Sequence, residues 1–126
     1  MAAAVRIVLV EDNDVYRSAL ELVLGLSEDV EVVASIADGA DAAPTCARLA
    51  PDVCLMDYRL PGVDGAAATR AVRDTSPATA VVGLTAAADD DEREAMLAAG
   101  AAACLSKDEP FDAVVDAILL AAGRGS

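Results

Sequence analysis

Five short apolar runs alternate with five helix-like segments along this chain, and no other feature narrows the possible folds so far. The runs cover residues 5–10, 30–37, 53–56, 80–84 and 101–105. Four are apolar almost without interruption, as in parallel strands covered on both faces. The second carries Glu31 and Ser35 and reads as an edge strand. Period and punctuation mark the helices between them. Asp14 is placed to cap a helix that runs to Leu24, with Tyr16, Ala19, Leu20 and Val23 on one face and Gly25 near its end. Asp41 is placed to cap the second, which puts Pro44 in the first turn, where no backbone N–H is needed. Asp64 opens the third, which runs to about Arg73. The fourth spans 89–99; its leading acids, Asp89 to Glu92, complement the helix dipole, and Gly100 ends it. The fifth starts near Pro110 and sets Phe111, Val114, Val115, Ile118 and Leu119 on one face, leaving 123–126 as a frayed end.

Strict alternation of strand and helix implies right-handed crossovers and a parallel sheet. With five strands, the expected class is α/β, a flavodoxin-like (βα)5 doubly wound sheet in the order 2-1-3-4-5. A length of 126 residues suits one domain, 1–126. Apolar residues make up 56% and aromatics only 2%, so the core must be Val, Leu, Ile and Ala. Acids outnumber bases 22 to 9, a formal charge of -13. Such a surface repels phosphate backbones and anionic lipid, which argues against direct nucleic-acid or membrane binding. Most of the excess serves solubility; the sharper reading is that some carboxylates cluster around a divalent cation. Cys46, Cys54 and Cys104 lie in apolar runs, with no C-x-x-C and no His, and read as buried reduced thiols of a cytoplasmic protein. The first apolar run is too short for a signal sequence, and the Ala-rich stretch 95–105 is broken by Gly100 and too short to span a bilayer.

Ligands of open α/β sheets bind at the carboxyl ends of the strands. Glu11 and Asp12 follow the first strand, Asp57 the third, Thr85 the fourth, and Lys107 the fifth. Singly, each is an ordinary turn former, cap or surface residue. In the expected strand order they converge: three carboxylates, a hydroxyl and an ammonium on one rim. Carboxylates so close repel unless a cation or protons intervene. Hard oxygen donors without His or Cys favour Mg2+, which keeps several waters and seeks phosphate oxygens.

The blocks Val8-Leu9-Val10-Glu11-Asp12-Asn13, Leu55-Met56-Asp57-Tyr58-Arg59-Leu60-Pro61-Gly62-Val63-Asp64-Gly65, Gly83-Leu84-Thr85-Ala86 and Leu105-Ser106-Lys107 are, in order and spacing, similar to the signature blocks of response-regulator (CheY-like) receiver domains. The resemblance covers essentially the whole chain. Glu31-Val32-Val33-Ala34, Ala37-Asp38-Gly39 and Lys107-Asp108 resemble the subgroup that precedes a LuxR-type helix-turn-helix. It implies that Asp57 is the phosphoacceptor, phosphorylated by a sensor histidine kinase or a small donor such as acetyl phosphate. It implies that Asp12 and Asp57 ligate Mg2+ directly and Glu11 through water, with the Arg59 backbone carbonyl as a further ligand. Thr85 and Lys107 would bind phosphoryl oxygens, Gly62 would take positive φ, and small Ala86 would leave a path for the donor. Arg59 and Ala87 match positions that tune the lifetime of the phosphorylated state. The product is a signalling switch rather than an enzyme, with a homodimer or docking surface on the fourth helix, fifth strand and fifth helix, controlling transcription through an effector domain absent from this chain.

Two departures stand out. Cys104 occupies a position that is often aromatic in the family, and Asp108 stands where a proline often follows the Lys. Three rival readings remain: a stand-alone relay, a degenerate receiver that is never phosphorylated, and a Mg2+-dependent phosphatase of the aspartyl-phosphate kind. The last needs a second acid two residues after the nucleophile, where this chain has Arg59.

Overall fold

The computed structural model describes residues 3–86 and 90–124. These form β1 (Val5–Val10), α1 (Asp14–Gly25), β2 (Val30–Ile36), α2 (Ala42–Leu49), β3 (Val53–Asp57), α3 (Gly65–Thr75), β4 (Ala80–Thr85), α4 (Asp90–Ala98), β5 (Ala103–Ser106) and α5 (Phe111–Ala121). All strand pairs are parallel and the order is 2-1-3-4-5, the flavodoxin-like arrangement expected from the alternation.

Strand pleating divides the core in two. In β1, Ile7 and Leu9 point to one face of the sheet, where Leu20 and Leu24 of α1 and Val114 and Ile118 of α5 cover them. Val8 and Val10 point to the other, against α2, α3 and α4. β1, β3 and β4 are the inner strands, paired on both sides and largely buried, so the residues at their carboxyl ends are held firmly.

Several boundaries differ from the sequence reading. Asn13, not Asp14, is the N-cap of α1: its side chain accepts from Tyr16 N at 2.9 Å, and Asp14 is the first helical residue. Leu24 rather than Val23 is fully buried there. Asp41 precedes α2 but makes no side-chain capping bond; Asp38 caps a short 3-10 turn, Gly39–Asp41, by accepting from Ala40 N. β5 starts at Ala103, because Ala101 N donates to Met96 O and leaves the chain still turning out of α4. Asp64 caps α3 as expected, accepting from Ala67 N at 2.8 Å. Asp89 and Ala87 lie outside the described residues. Among those described, no helix is long and apolar enough to cross a membrane.

Candidate functional site

The three carboxylates of Glu11, Asp12 and Asp57 meet at the carboxyl ends of β1 and β3, with one oxygen from each lying within 4.8 Å of the others. The two strands pair up to Val10 and Met56, so the residues that follow leave the sheet side by side. Glu11 is held in place at its backbone, where its N–H donates to Ile36 O and its carbonyl accepts from the Arg17 guanidinium at 2.7 Å. Its side chain is fully buried and accepts from Asn13 N at 3.1 Å. Asp57 is 2% exposed, while Asp12 faces solvent. The site therefore has one open side.

Lys107 enters from the loop after β5, whose course is fixed by Lys107 N donating to Thr85 O at 2.9 Å. Its ammonium lies 2.6 Å from Glu11 Oε1 and 3.2 Å from Asp57 Oδ1. It also sits over the ring of Tyr16, 4.6 Å from the centroid, a cation–π contact. Thr85, 3% exposed, ends β4 next to β3, with its hydroxyl 3.5 Å from Leu105 O and facing the Cys104 thiol. The sequence-derived residues Glu11, Asp12, Asp57, Thr85 and Lys107 thus share one rim.

The loop after Asp57 is shaped by two glycines. Gly62 has φ +73, as expected from the sequence. Gly65 packs directly on Asp57: a Cβ there would lie 2.2 Å from Asp57 O. Gly65 N donates to Tyr58 O and Tyr58 N to Leu84 O, which tie this loop to α3 and β4.

The electrostatics follow from this crowding. At an effective dielectric of about 20, two carboxylates under 5 Å apart repel by roughly 3–4 kcal/mol. Burial first, then the hydrogen bond and charge of Glu11, raise Asp57 to about 7, with Lys107 pulling the other way. Burial also works against ionised Glu11, yet Lys107, the Asn13 amide and Asp57 together hold it below its ordinary value. Lys107 is disfavoured by burial but raised by its two carboxylate neighbours. One ammonium does not neutralise three carboxylates. An all-oxygen donor set with a deficit of positive charge, open on one side, fits a hard divalent cation.

Two residues were not recognised as part of the site in the sequence. Glu92 accepts from Arg59 Nε at 2.7 Å and from Ala86 N at 3.4 Å, bridging the loops after β3 and β4. In the sequence it is one of four leading acids; the usable signal was its spacing of four from Met96, which puts both on one helix face. Tyr16 read as a core residue, and only the fold brings Lys107 over its ring.

Comparison with known proteins agrees with this geometry. The family model for the response regulator receiver domain matches residues 7–119. The chain belongs to that family. It is 34% identical to the transcriptional regulatory protein LiaR of Bacillus subtilis, over 96% of this chain and 57% of LiaR. The receiver domain of the response regulator NarL from Mycobacterium tuberculosis superposes with a TM-score of 0.90 at 36% identity, covering 97% of this chain and 98% of that one. The receiver domain of the sensor histidine kinase PA1611 from Pseudomonas aeruginosa, solved with magnesium in its active site cleft, matches at 33% identity and a TM-score of 0.81, over 96% and 99%. LiaR and NarL, though not the PA1611 receiver, agree with the expected subgroup, the receivers that precede a LuxR-type helix-turn-helix. The chain spans about half the length of the curated relatives it matches.

Proposed function

We infer that this receiver takes a phosphoryl group on Asp57 and uses it to switch an output surface. The observation that carries the reading is the Asp57 carboxylate itself: buried at the end of an inner strand, 3.2 Å from the Lys107 ammonium, and grouped with Glu11 and Asp12. Mg2+ is the ion this donor set suits. Asp12 and Asp57 would hold it directly, Glu11 through water, and the Arg59 backbone carbonyl would complete the protein ligands. The ion supplies charge neutralisation to the incoming phosphoryl group.

The chain's own residues do the rest by position. Bound Mg2+ would favour the ionised form of Asp57, and an Oδ atom of that carboxylate would attack phosphorus. The new O–P bond forms as the donor's N–P bond breaks, or its O–P bond when acetyl phosphate serves. Lys107 and Thr85 would bind the transferred oxygens, and small Ala86 would leave an open approach. Phosphoryl transfer asks for positioning and electrostatics more than for acid–base groups, and this rim offers both. The phosphatase reading is disfavoured, since Arg59, not an acid, stands two residues on and pairs with Glu92.

The phosphodonor of such a domain is a sensor histidine kinase in the cytoplasm, and the output is transcription through an effector domain. Residues 1–126 act as one receiver unit, with self-association on phosphorylation as the step between. Incubation with acetyl phosphate and Mg2+ should add one phosphoryl group by intact mass, and Asp57→Asn should add none. Equal labelling of the Asn variant would move the acceptor elsewhere.

A further inference from the structure

α4 buries fewer large apolar side chains than α1 or α5. Its two buried side chains are Met96, which packs over Gly83 of β4, and Glu92. A carboxylate is an expensive anchor, and it persists where a cation and hydrogen bonds compensate it. Here the Glu92 side chain is 10% exposed and meets Arg59 Nε at 2.7 Å, while the Arg59 side chain is two-thirds exposed. The other oxygen of Glu92 lies 3.4 Å from the amide of Ala86, the residue after Thr85. One side chain therefore ties three things together: the first turn of α4, the loop that follows Asp57, and the loop that follows Thr85.

We propose that the Arg59–Glu92 pair is a latch that keeps the start of α4 down until an anion on Asp57 draws the Arg59 guanidinium away. The proposal rests on the phosphoacceptor reading of Asp57. Arg59 is two residues from Asp57, on an exposed and flexible stem. A phosphoryl group brings close to two negative charges and three strong acceptors, the partner that a guanidinium prefers to a single carboxylate. When Arg59 turns to it, Glu92 loses a compensating cation and its burial becomes costly. Glu92 then moves toward water, the Ala86 amide is released beside Thr85, and α4 is left with Met96 as its buried anchor. This route from Asp57 to α4 needs no ring in β5. That matters in a chain whose position 104 is a buried cysteine against Gly83 and Met96.

The test is hydrogen exchange of residues 90–98 in the wild type, Glu92→Gln, Arg59→Gln and the double variant, each with and without beryllofluoride plus Mg2+. Gln at 92 keeps the shape and can still accept from Ala86 but removes the charge. The latch predicts faster α4 exchange in both single variants without beryllofluoride, by a factor of about 5 or more, the lower end of ordinary coupling between sites. With beryllofluoride bound, wild type and variants should converge, and the double variant should exceed neither single one. Equal effects of the substitutions in both states would mean that the pair is merely structural, and no effect in either would likewise overturn the latch. If Glu92→Gln fails to fold, Arg59→Gln at its exposed side chain carries the same comparison. A wild type that binds no beryllofluoride removes the phosphoacceptor reading and the latch with it, whereas a normal wild-type response with inert variants removes the latch alone.

Discussion

Asp57 and Glu11 are two buried carboxylates that share one lysine, and their environments push them apart. Asp57 is raised from 3.8 to about 7, chiefly by burial and then by Glu11, whereas Glu11 is held low. The sign for stability follows. Between about pH 4 and 7 the folded, metal-free domain holds a proton on Asp57 that the unfolded chain has lost, so this group's contribution falls as pH rises through that window. Glu11 acts oppositely: its contribution is present above the ordinary carboxylate value and is lost as pH falls through its lowered folded value. Asp57→Asn should therefore stabilise the domain in EDTA at pH 8, by on the order of 2–4 kcal/mol, and much less in Mg2+. Urea unfolding at pH 5 and pH 8 measures it; an Asn variant no more stable than wild type at pH 8 would refute this picture of the site. Cys104 stands where the family often has an aromatic residue. Its thiol is buried against Gly83 and Met96 and faces the Thr85 hydroxyl, too short to report a movement of Thr85 by swinging a ring. Cys104→Ala should leave phosphate-dependent dimerisation unchanged. Cys104→Tyr should strengthen it, because the ring has no room inward until Thr85 moves. Analytical ultracentrifugation compares the three, and a response abolished by alanine would assign the thiol an active role.

Secondary-structure elements carry these residues to their places, and the sequence revealed them unevenly. Inner strands were legible because burial on both faces leaves an unbroken apolar run, and the ends of those runs delivered Glu11, Asp57 and Thr85 directly. Helix starts were less legible where two polar residues compete. Asn13 and Asp14 are both good caps, and only the backbone, extended at Asn13, decides between them. Asp38 and Asp41 compete in the same way around a 3-10 turn that no periodicity marks. Glu92 was hidden for a different reason: in a run of acids, helix dipole arguments treat all alike, and which one turns inward depends on Arg59 across the site. Gly65 shows how tightly the first turn of α3 is set against Asp57. A methyl group there would meet the carbonyl of Asp57 and the Cα of Tyr58, both backbone. Neither can yield as a side chain would, so Gly65→Ala should cost about 3 kcal/mol or more, the upper range for overpacking. Thermal unfolding would record it, together with slower phosphorylation by acetyl phosphate; a variant with unchanged Tm would mean that α3 slides freely relative to β3.

The whole molecule sets the terms on which a switched surface is read. At a net charge of -13, two copies repel before any contact forms, and a phosphoryl group on each adds to the repulsion. If the activated domain associates, as proposed, the contact must therefore rest on apolar surface. On the face formed by α4, β5 and α5, Leu97 and Leu120 are large exposed apolar residues, and Leu120 borders a groove of about 370 Å³ with Ala102, Ala103, Ala117 and Ala121. A small-residue groove beside an exposed leucine suits a self-complementary contact, in which each copy offers both halves. Repulsion and apolar attraction respond to salt in opposite directions. Raising ionic strength from about 0.02 M to about 0.2 M shortens the screening length from roughly 20 Å to below 10 Å, weakening repulsion while leaving apolar burial intact. Dimerisation of the beryllofluoride-activated domain should accordingly tighten with salt, and Leu120→Glu should reduce it without altering phosphorylation. Sedimentation velocity across a salt series reads both. Dimerisation that weakens with salt would place matched charges, not Leu120 and its groove, at the contact.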